Sequence, residues 1–251
     1  NGDLALRRPD RRYRASRERG CGMIRAMAIA FVVVVLACGA TTSVYAEESR
    51  GVRLTVAGDS LALGVGASDS SRGFAFDLFR RIRKVRPGSE VSNLAIGGAT
   101  ANDVARLELD RIAATHPDII ILEVGANDLV RRHAASAFGV DYLRLARGVR
   151  RVAPHARIVL FNVPDIAVSP IFEAPAKPAL RRLARAYNAT VVSVAKRIGA
   201  AVVDLFKFSQ AAGRDPARYF SADQFHPSDD GHAAIASDAW PTLQKMIAPV
   251  R

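Results

Sequence analysis

Cysteine is all but missing from this chain. Of 251 residues only Cys21 and Cys38 carry a thiol, and both precede residue 47. Everything after that point must fold without disulfides, and works without a thiol nucleophile or a cysteine-built zinc site. Tryptophan occurs once and aromatic residues make up 7% of the chain. No basic stretch is interleaved with rings in the way a nucleic-acid platform requires, so nucleic acid is not an expected partner. No internal repeat or low-complexity tract is present, which excludes solenoids and arrays. Acids are outnumbered, 24 against 36 Lys and Arg, for a net charge of +12. Eight arginines against three acids fall within residues 1–46. Beyond them, positive charge gathers at Arg80, Arg81, Arg83, Lys84 and Arg86, and again at Arg144, Arg147, Arg150 and Arg151. A solvated helix face and attraction to an anionic envelope surface are both open readings of these clusters.

Long apolar runs are equally scarce. The one that stands out, Ala26 to Ala40, follows Arg25 and is followed by Val44-Tyr45-Ala46. A charged start, an apolar stretch and a small-x-Ala site together read as a secretory signal peptide over residues 23–46, cleaved before Glu47. Two other readings stay open. Extended to Ala46 the stretch reaches about 20 residues, enough for a retained anchor, although Thr41, Thr42 and Ser43 weaken it. Val-Leu-Ala-Cys38 also loosely resembles a lipidation site. Residues 1–22, arginine-rich and lying before Met23, read as an upstream extension. The expected location is therefore outside the cytoplasm, as a secreted, periplasmic or envelope-associated protein.

What remains, residues 47–251, is long enough for one domain that buries roughly 70% of its unfolded-chain surface. Strand-like runs at 53–57, 90–94, 119–124, 157–162 and 201–204 alternate with helix-like stretches near 74–86, 102–114, 138–152, 178–198 and 229–246. Five such repeats argue for an α/β fold with a parallel sheet covered on both faces.

Chemistry concentrates in four fragments. Leu54-Thr-Val-Ala-Gly58-Asp59-Ser60 is an apolar strand that stops at a small-residue turn and leaves a serine at its carboxyl end, where α/β sheets bind ligands. A serine needs a base to become a nucleophile. Of five histidines, His116 and His155 sit in turns just ahead of apolar runs, and His133 lies in a loop with nothing evident to orient it. His226 follows Asp223 by three residues in a Pro-terminated turn, a spacing that brings a carboxylate to Nδ1 and leaves Nε2 for the serine proton. His232, in the first turn of the final helix, is the rival base. Asp223 to His232 matches no zinc spacing, so no metal is expected. Asn127, after the strand 119–124, offers a side-chain NH₂ to a developing oxyanion, and the Ser60 amide is a further donor. Either Gly97 or Gly98, after the strand 90–94, supplies a backbone N–H with no Cβ in the way.

Together, Gly58-Asp-Ser60-Leu, Asn93-Leu-Ala-Ile-Gly97-Gly98, Gly125-Ala-Asn127-Asp128 and Asp223-Gln-Phe-His226-Pro227 resemble the SGNH (GDSL) hydrolase family of esterases and lipases. The resemblance implies a flavodoxin-like, five-stranded, three-layer α/β/α sandwich with strand order 2-1-3-4-5. It implies Ser60 as nucleophile, His226 as base, Asp223 as its orienting acid, and Gly98, Asn127 and the Ser60 amide as the oxyanion hole. It also implies that no cofactor is used. The substrate would be a small-molecule, lipid or glycan acyl ester. A monomer is the expected state. Gly58-Asp-Ser60-Leu-Ala62 lacks the second glycine of a Gly-x-Ser-x-Gly elbow, which sets the chain apart from α/β-hydrolases.

Two connections, Leu129–Gly139 and Pro164–Pro178, are long enough to shape a substrate pocket. Ile166, Val168, Ile171 and Phe172 of the second either line an acyl groove or pack over the sheet edge. Three other functions remain open. A sugar O-acyltransferase would use the same residues. A non-catalytic envelope-binding protein would not need Ser60. A nucleotide-binding role is disfavoured because Gly64-Val-Gly66-Ala-Ser-Asp69 lacks the third glycine of a dinucleotide fingerprint.

Overall fold

The computed structural model of the protein describes residues 50–248. The expected upstream extension, export signal, cleavage site and lipidation site all lie outside these residues. Five parallel strands form one sheet: β1 (Arg53–Gly58), β2 (Glu90–Asn93), β3 (Ile119–Glu123), β4 (Arg157–Phe161) and β5 (Ala201–Val203). Their order is β2-β1-β3-β4-β5, the order implied by the resemblance. Each expected strand is present, most ending one residue sooner.

Ten helices connect them. They are α1 (Ser60–Leu63), α2 (Phe74–Val85), α3 (Ala101–Leu107), α4 (Leu109–Ala114), α5 (Ala126–Val130), α6 (Ala135–Val152), α7 (Lys177–Ile198), α8 (Leu205–Ala212), α9 (Pro216–Tyr219) and α10 (Asp229–Ile247) among the described residues. Alternation along the strands divides the core in two. Ile120, Leu122, Ile158 and Leu160 face one layer, where Val104, Ile112, Tyr142, Val149, Ala184 and Val191 pack against them. Leu54, Val56, Ile119, Ile121, Val159 and Phe161 face the other, against Phe74, Leu78 and Ile82 of α2 and Ile235, Ala239 and Leu243 of α10. In α2 the buried positions recur three and four residues apart, one helical stripe turned to the sheet.

Three departures from the sequence reading have local causes. The stretch 102–114 is not one helix but two, broken at Glu108, whose side chain is fully buried and accepts a hydrogen bond from Gly58 N at 3.0 Å. The segment 129–139 is not an irregular loop: α5 runs to Val130 and α6 already begins at Ala135, within the small-residue run Ala134-Ala-Ser-Ala137 that carries no apolar periodicity. The short helices α1, α5, α8 and α9 were not foreseen, since four to eight residues leave too few turns for a periodic signal.

The basic clusters are largely engaged within the chain. Arg80 and Arg81 pair with Asp77, and Arg86 donates to the Ile247 carbonyl at the end of α10. Arg144 pairs with Asp141, and Arg150 donates to the carbonyls of Pro154, Ala156 and Ile198.

Because β2 lies on one side of β1 and β3 on the other, the chain reverses its direction of travel between β1 and β3. A crevice opens at such a switch point above the carboxyl ends of the strands. The turns after β1, β2 and β3 carry Ser60, Gly98 and Asn127 to that edge.

Candidate active site

Ser60 is the first residue of α1. Asp59 caps this short helix, its carboxylate accepting from Leu61 N at 3.1 Å. The helix ends at Gly64 in the left-handed region. The candidate nucleophile therefore sits on a single helical turn clamped to the end of β1.

The histidine reaches it from the far end of the sequence. Residues 220–227 form a tight loop closed by a bridge between Phe220 and Pro227 and by Ser221 N donating to the His226 carbonyl at 2.8 Å. At its tip Gln224 adopts φ 60°. Inside the loop, Asp223 Oδ1 accepts from Phe225 N and His226 N, both at 2.9 Å, and from Ser221 Oγ at 2.8 Å. Its Oδ2 lies 2.6 Å from His226 Nδ1. On the other side of the ring, His226 Nε2 lies 2.9 Å from Ser60 Oγ. The contact depends on Gly66, at φ 95°. A Cβ there would fall 2.4 Å from the Pro227 carbonyl oxygen and 2.7 Å from His226 Cβ, so only glycine lets the α1 turn and the histidine loop meet.

Burial alone would raise the Asp223 pKa. The hydrogen bonds from the His226 ring, the Phe225 and His226 amides and Ser221 outweigh it and hold the carboxyl well below the usual carboxylate range. An ionised Asp223 has no proton to give, so the short contact fixes the proton on Nδ1. The Nε2 lone pair is left to accept from the Ser60 hydroxyl.

His232, the rival base, is elsewhere. It is fully buried; Phe74 N donates to its Nδ1 at 3.3 Å, and its Nε2 lies 3.0 Å from the Val65 carbonyl. Both ring nitrogens are occupied by backbone, and burial depresses its pKa. It is a neutral tie between α10 and the segment after α1. His116 and His155 sit in the turns before β3 and β4 as expected. His133, by contrast, is oriented. Its Nδ1 lies 3.3 Å from Asp128 Oδ1, and its carbonyl accepts from the Tyr187 hydroxyl at 2.8 Å.

The candidate oxyanion donors lie on two neighbouring turns. Asn127 in α5 donates from Nδ2 to the Ala99 carbonyl at 3.1 Å, which uses one of its two amide hydrogens. Gly98 has φ 79°. Among the described residues neither the Ser60 N–H nor the Gly98 N–H donates a hydrogen bond. Gly97 is the more exposed of the two glycines.

Three buried carboxyls beneath Ser60 were not anticipated. Glu108 accepts from Gly58 N at 3.0 Å, Asp59 from Leu61 N at 3.1 Å and Glu123 from Ala62 N at 3.1 Å. Together they hold three amides flanking the serine. Burial raises the pKa of all three, that of Glu108 to about 8, because three charges cannot share an apolar interior. One signal was visible in the sequence: Glu123 interrupts the apolar run Ile119-Ile-Ile-Leu-Glu-Val124.

Beside Ser60 and His226 lies a cavity whose walls are almost wholly apolar. Ile166 and Val168, Phe208 and Ala212 of α8, and Phe220 and Phe225 of the histidine loop form most of it. The 164–178 connection thus lines the site through its first half. Ile171 is exposed, and Phe172 instead packs edge-on to Phe225 at 6.1 Å. The cavity lining includes no residue of 129–139.

Comparison with known proteins points the same way as the geometry. The model of the GDSL-like Lipase/Acylhydrolase family matches residues 56–234. A GDSL-like esterase of Mycobacterium tuberculosis, Rv1075c, is 31% identical over 200 residues, 74% of this chain and 59% of that protein. The chain thus spans about three fifths of that relative. Esterase TesA of Pseudomonas aeruginosa is 25% identical over 202 residues, 80% of this chain and 92% of the relative. Among solved structures, a crystal structure of TesA superposes with a TM-score of 0.64 at 24% identity, covering 77% of this chain and 99% of that one. A two-domain esterase active on acetylated mannans gives 0.62 at 21% identity, over 81% of this chain and 52% of that one. These two likenesses are of fold.

Proposed function

The chain belongs to the GDSL-like lipase/acylhydrolase family, and from that premise we propose that it is a serine ester hydrolase acting on esters with an uncharged, apolar acyl group. The observation that carries the proposal is the unbroken relay from Asp223 through His226 to Ser60, with contacts of 2.6 and 2.9 Å.

Ser60 Oγ attacks the ester carbonyl carbon as its proton passes to His226 Nε2. The carbonyl oxygen takes up the negative charge and is held by the Ser60 and Gly98 amides and the second Asn127 hydrogen. When the tetrahedral intermediate collapses, the bond to the alcohol breaks and His226 returns the proton to the leaving oxygen. Water then attacks the acyl-serine by the same route, giving up a proton to His226, and the acid departs as Ser60 recovers its hydrogen. Asp223 stays ionised throughout and steadies the imidazolium. The acyl group enters the apolar cavity, where each methylene buried favours binding by about 0.8 kcal/mol.

The test is hydrolysis of p-nitrophenyl esters from acetyl to palmitoyl by the protein and by folded Ser60→Ala. Ser60→Ala should lose activity by ~10⁶-fold, the scale on which a triad serine acts. Butyryl to octanoyl esters should outpace acetyl. Equal rates in the two proteins would refute the serine mechanism, and a clear preference for acetyl would show that the cavity does not hold the acyl chain.

A further inference from the structure

An oxyanion donor is useful only if it is already aimed when the charge develops, since reorienting it during the reaction costs what it was meant to provide. Gly98 is poorly placed to hold its own aim. It lacks a side chain, its φ of 79° lies in a region that glycine enters and leaves freely, and a Cβ built on it would meet nothing within 4 Å. Packing does not fix this peptide. Hydrogen bonds must.

Ala99 N donates to the Ile96 carbonyl at 3.1 Å across the turn, and the side-chain bonds come from one short element. Asn127 Nδ2 donates to the Ala99 carbonyl at 3.1 Å, and Asp128 Oδ2 accepts from Ala101 N at 3.0 Å. Arg131, which closes α5 with its own amide donating to the Asn127 carbonyl at 3.0 Å, reaches back with Nη2 to the Gly98 carbonyl at 2.9 Å. Its other terminal nitrogen stands 3.9 Å from Asp103. Asp103 is the third residue of α3 and completes the capping box with Thr100. The guanidinium therefore spans the turn, from the glycine to the helix that follows. Three side chains of one helical turn grip three consecutive parts of the segment 98–101. Of the three, only Arg131 acts on Gly98 itself.

We propose that Arg131 is a positioning residue, whose bond to the Gly98 carbonyl fixes the glycine's backbone so that its N–H faces the oxyanion. The role rests on the reading of Gly98 as a donor. Arg131 touches no reacting atom. A charge-assisted bond is roughly twice as strong as a neutral one, and planar guanidinium holds the carbonyl in direction as well as distance. Half of the Arg131 side chain is exposed, so replacing it opens no cavity.

The experiment compares Arg131→Ala and Arg131→Lys with the parent protein on a neutral short-chain p-nitrophenyl ester. In Arg131→Ala, kcat should fall about tenfold, the loss expected for one hydrogen bond to a charged group, with KM within about twofold and an unchanged unfolding midpoint. Arg131→Lys should recover part of the rate, since it restores charge without the fork. The rate at which an uncharged p-nitrophenyl alkylphosphonate ester modifies Ser60, with loss of p-nitrophenolate, should fall as well, because its phosphoryl oxygen takes up charge against the same donors. Parent-like kcat in folded Arg131→Ala, or a rise confined to KM, would overturn the proposal. If Ser60→Ala also matched the parent, the reading of the whole site would be at fault instead. The clamp has its own measure in that case: ¹⁵N relaxation of the Gly98 amide, which should show greater mobility in Arg131→Ala and would contradict the proposal by staying unchanged.

Discussion

At the scale of single residues, Asn127 carries the sharpest expectation. One hydrogen of its side-chain amide is committed to the Ala99 carbonyl, which fixes the side chain, and the other is free to meet an oxyanion. Asn127→Ala should lower kcat by ~10²–10³, the usual worth of a single oxyanion donor, with KM little changed. Steady-state kinetics on a short-chain ester would show it, and a normal rate in the folded variant would remove Asn127 from the hole. The relay residues were legible in the sequence for a physical reason. Asp223 and His226 must meet within one loop, so their chemistry is written as a three-residue spacing. Ser60 had to follow closely on a strand, and the small-residue turn of Gly58 and Asp59 marks that position, although the helix it opens was not legible. Arg131 and Glu108 were not legible. Their partners, Gly98 and Gly58, are 33 and 50 residues away, and an arginine after a strand loop or a glutamate within a helical pattern looks like any solvated charge until the chain is folded.

At the scale of elements, the α1 turn is held from below by protons as well as by packing. Glu108 keeps its proton in the folded protein up to about pH 8, against an ordinary carboxyl value of 4.5. Between those limits the folded state binds more protons than the unfolded chain, so this residue makes stability fall as pH rises through the window. Glu108→Gln stays neutral at every pH and still offers an oxygen to Gly58 N. It should match the parent near pH 4.5 and unfold higher by roughly 3 °C or more at pH 8.5. Thermal melts at the two pH values decide it, and a variant that melts lower at pH 8.5 would mean that Glu108 works as a charged group. The same residue explains why 102–114 reads as a single helix and folds as two: apolar periodicity reports which face is buried, and it does not report that one acid turns inward to grip the neighbouring strand. The short helices escaped for a related reason, since one or two turns leave too little period to detect. The histidine loop was recognised from its acid–base spacing, and its positive-φ turn at Gln224 was not.

For the molecule as a whole, the alternation of strand and helix was enough to give a parallel sheet with two covered faces, because buried strands and amphipathic helices leave different periods in the chain. The strand order was carried by the family resemblance, since periodicity says nothing of which strands are neighbours. The folded body holds together without a single thiol among residues 50–248, relying on the two apolar layers to either side of the sheet. Its thermal midpoint should therefore move by less than about 1 °C when a reductant is added, on the scale where even 1 kcal/mol shifts a body of this size by a few degrees. A larger drop would reveal a covalent contribution from Cys21 or Cys38. The separation of Ser60 from His226, 166 residues, also sets a clock. At the usual pace of synthesis, about 5–20 residues each second, the serine is added to the chain roughly 10–30 s before its histidine. The histidine in turn comes just ahead of α10, whose docking completes the second apolar layer. A nascent or prematurely ended chain thus carries Ser60 without its partner, and the contacts from Asp223 through His226 to Ser60 can close only once the histidine loop has been made.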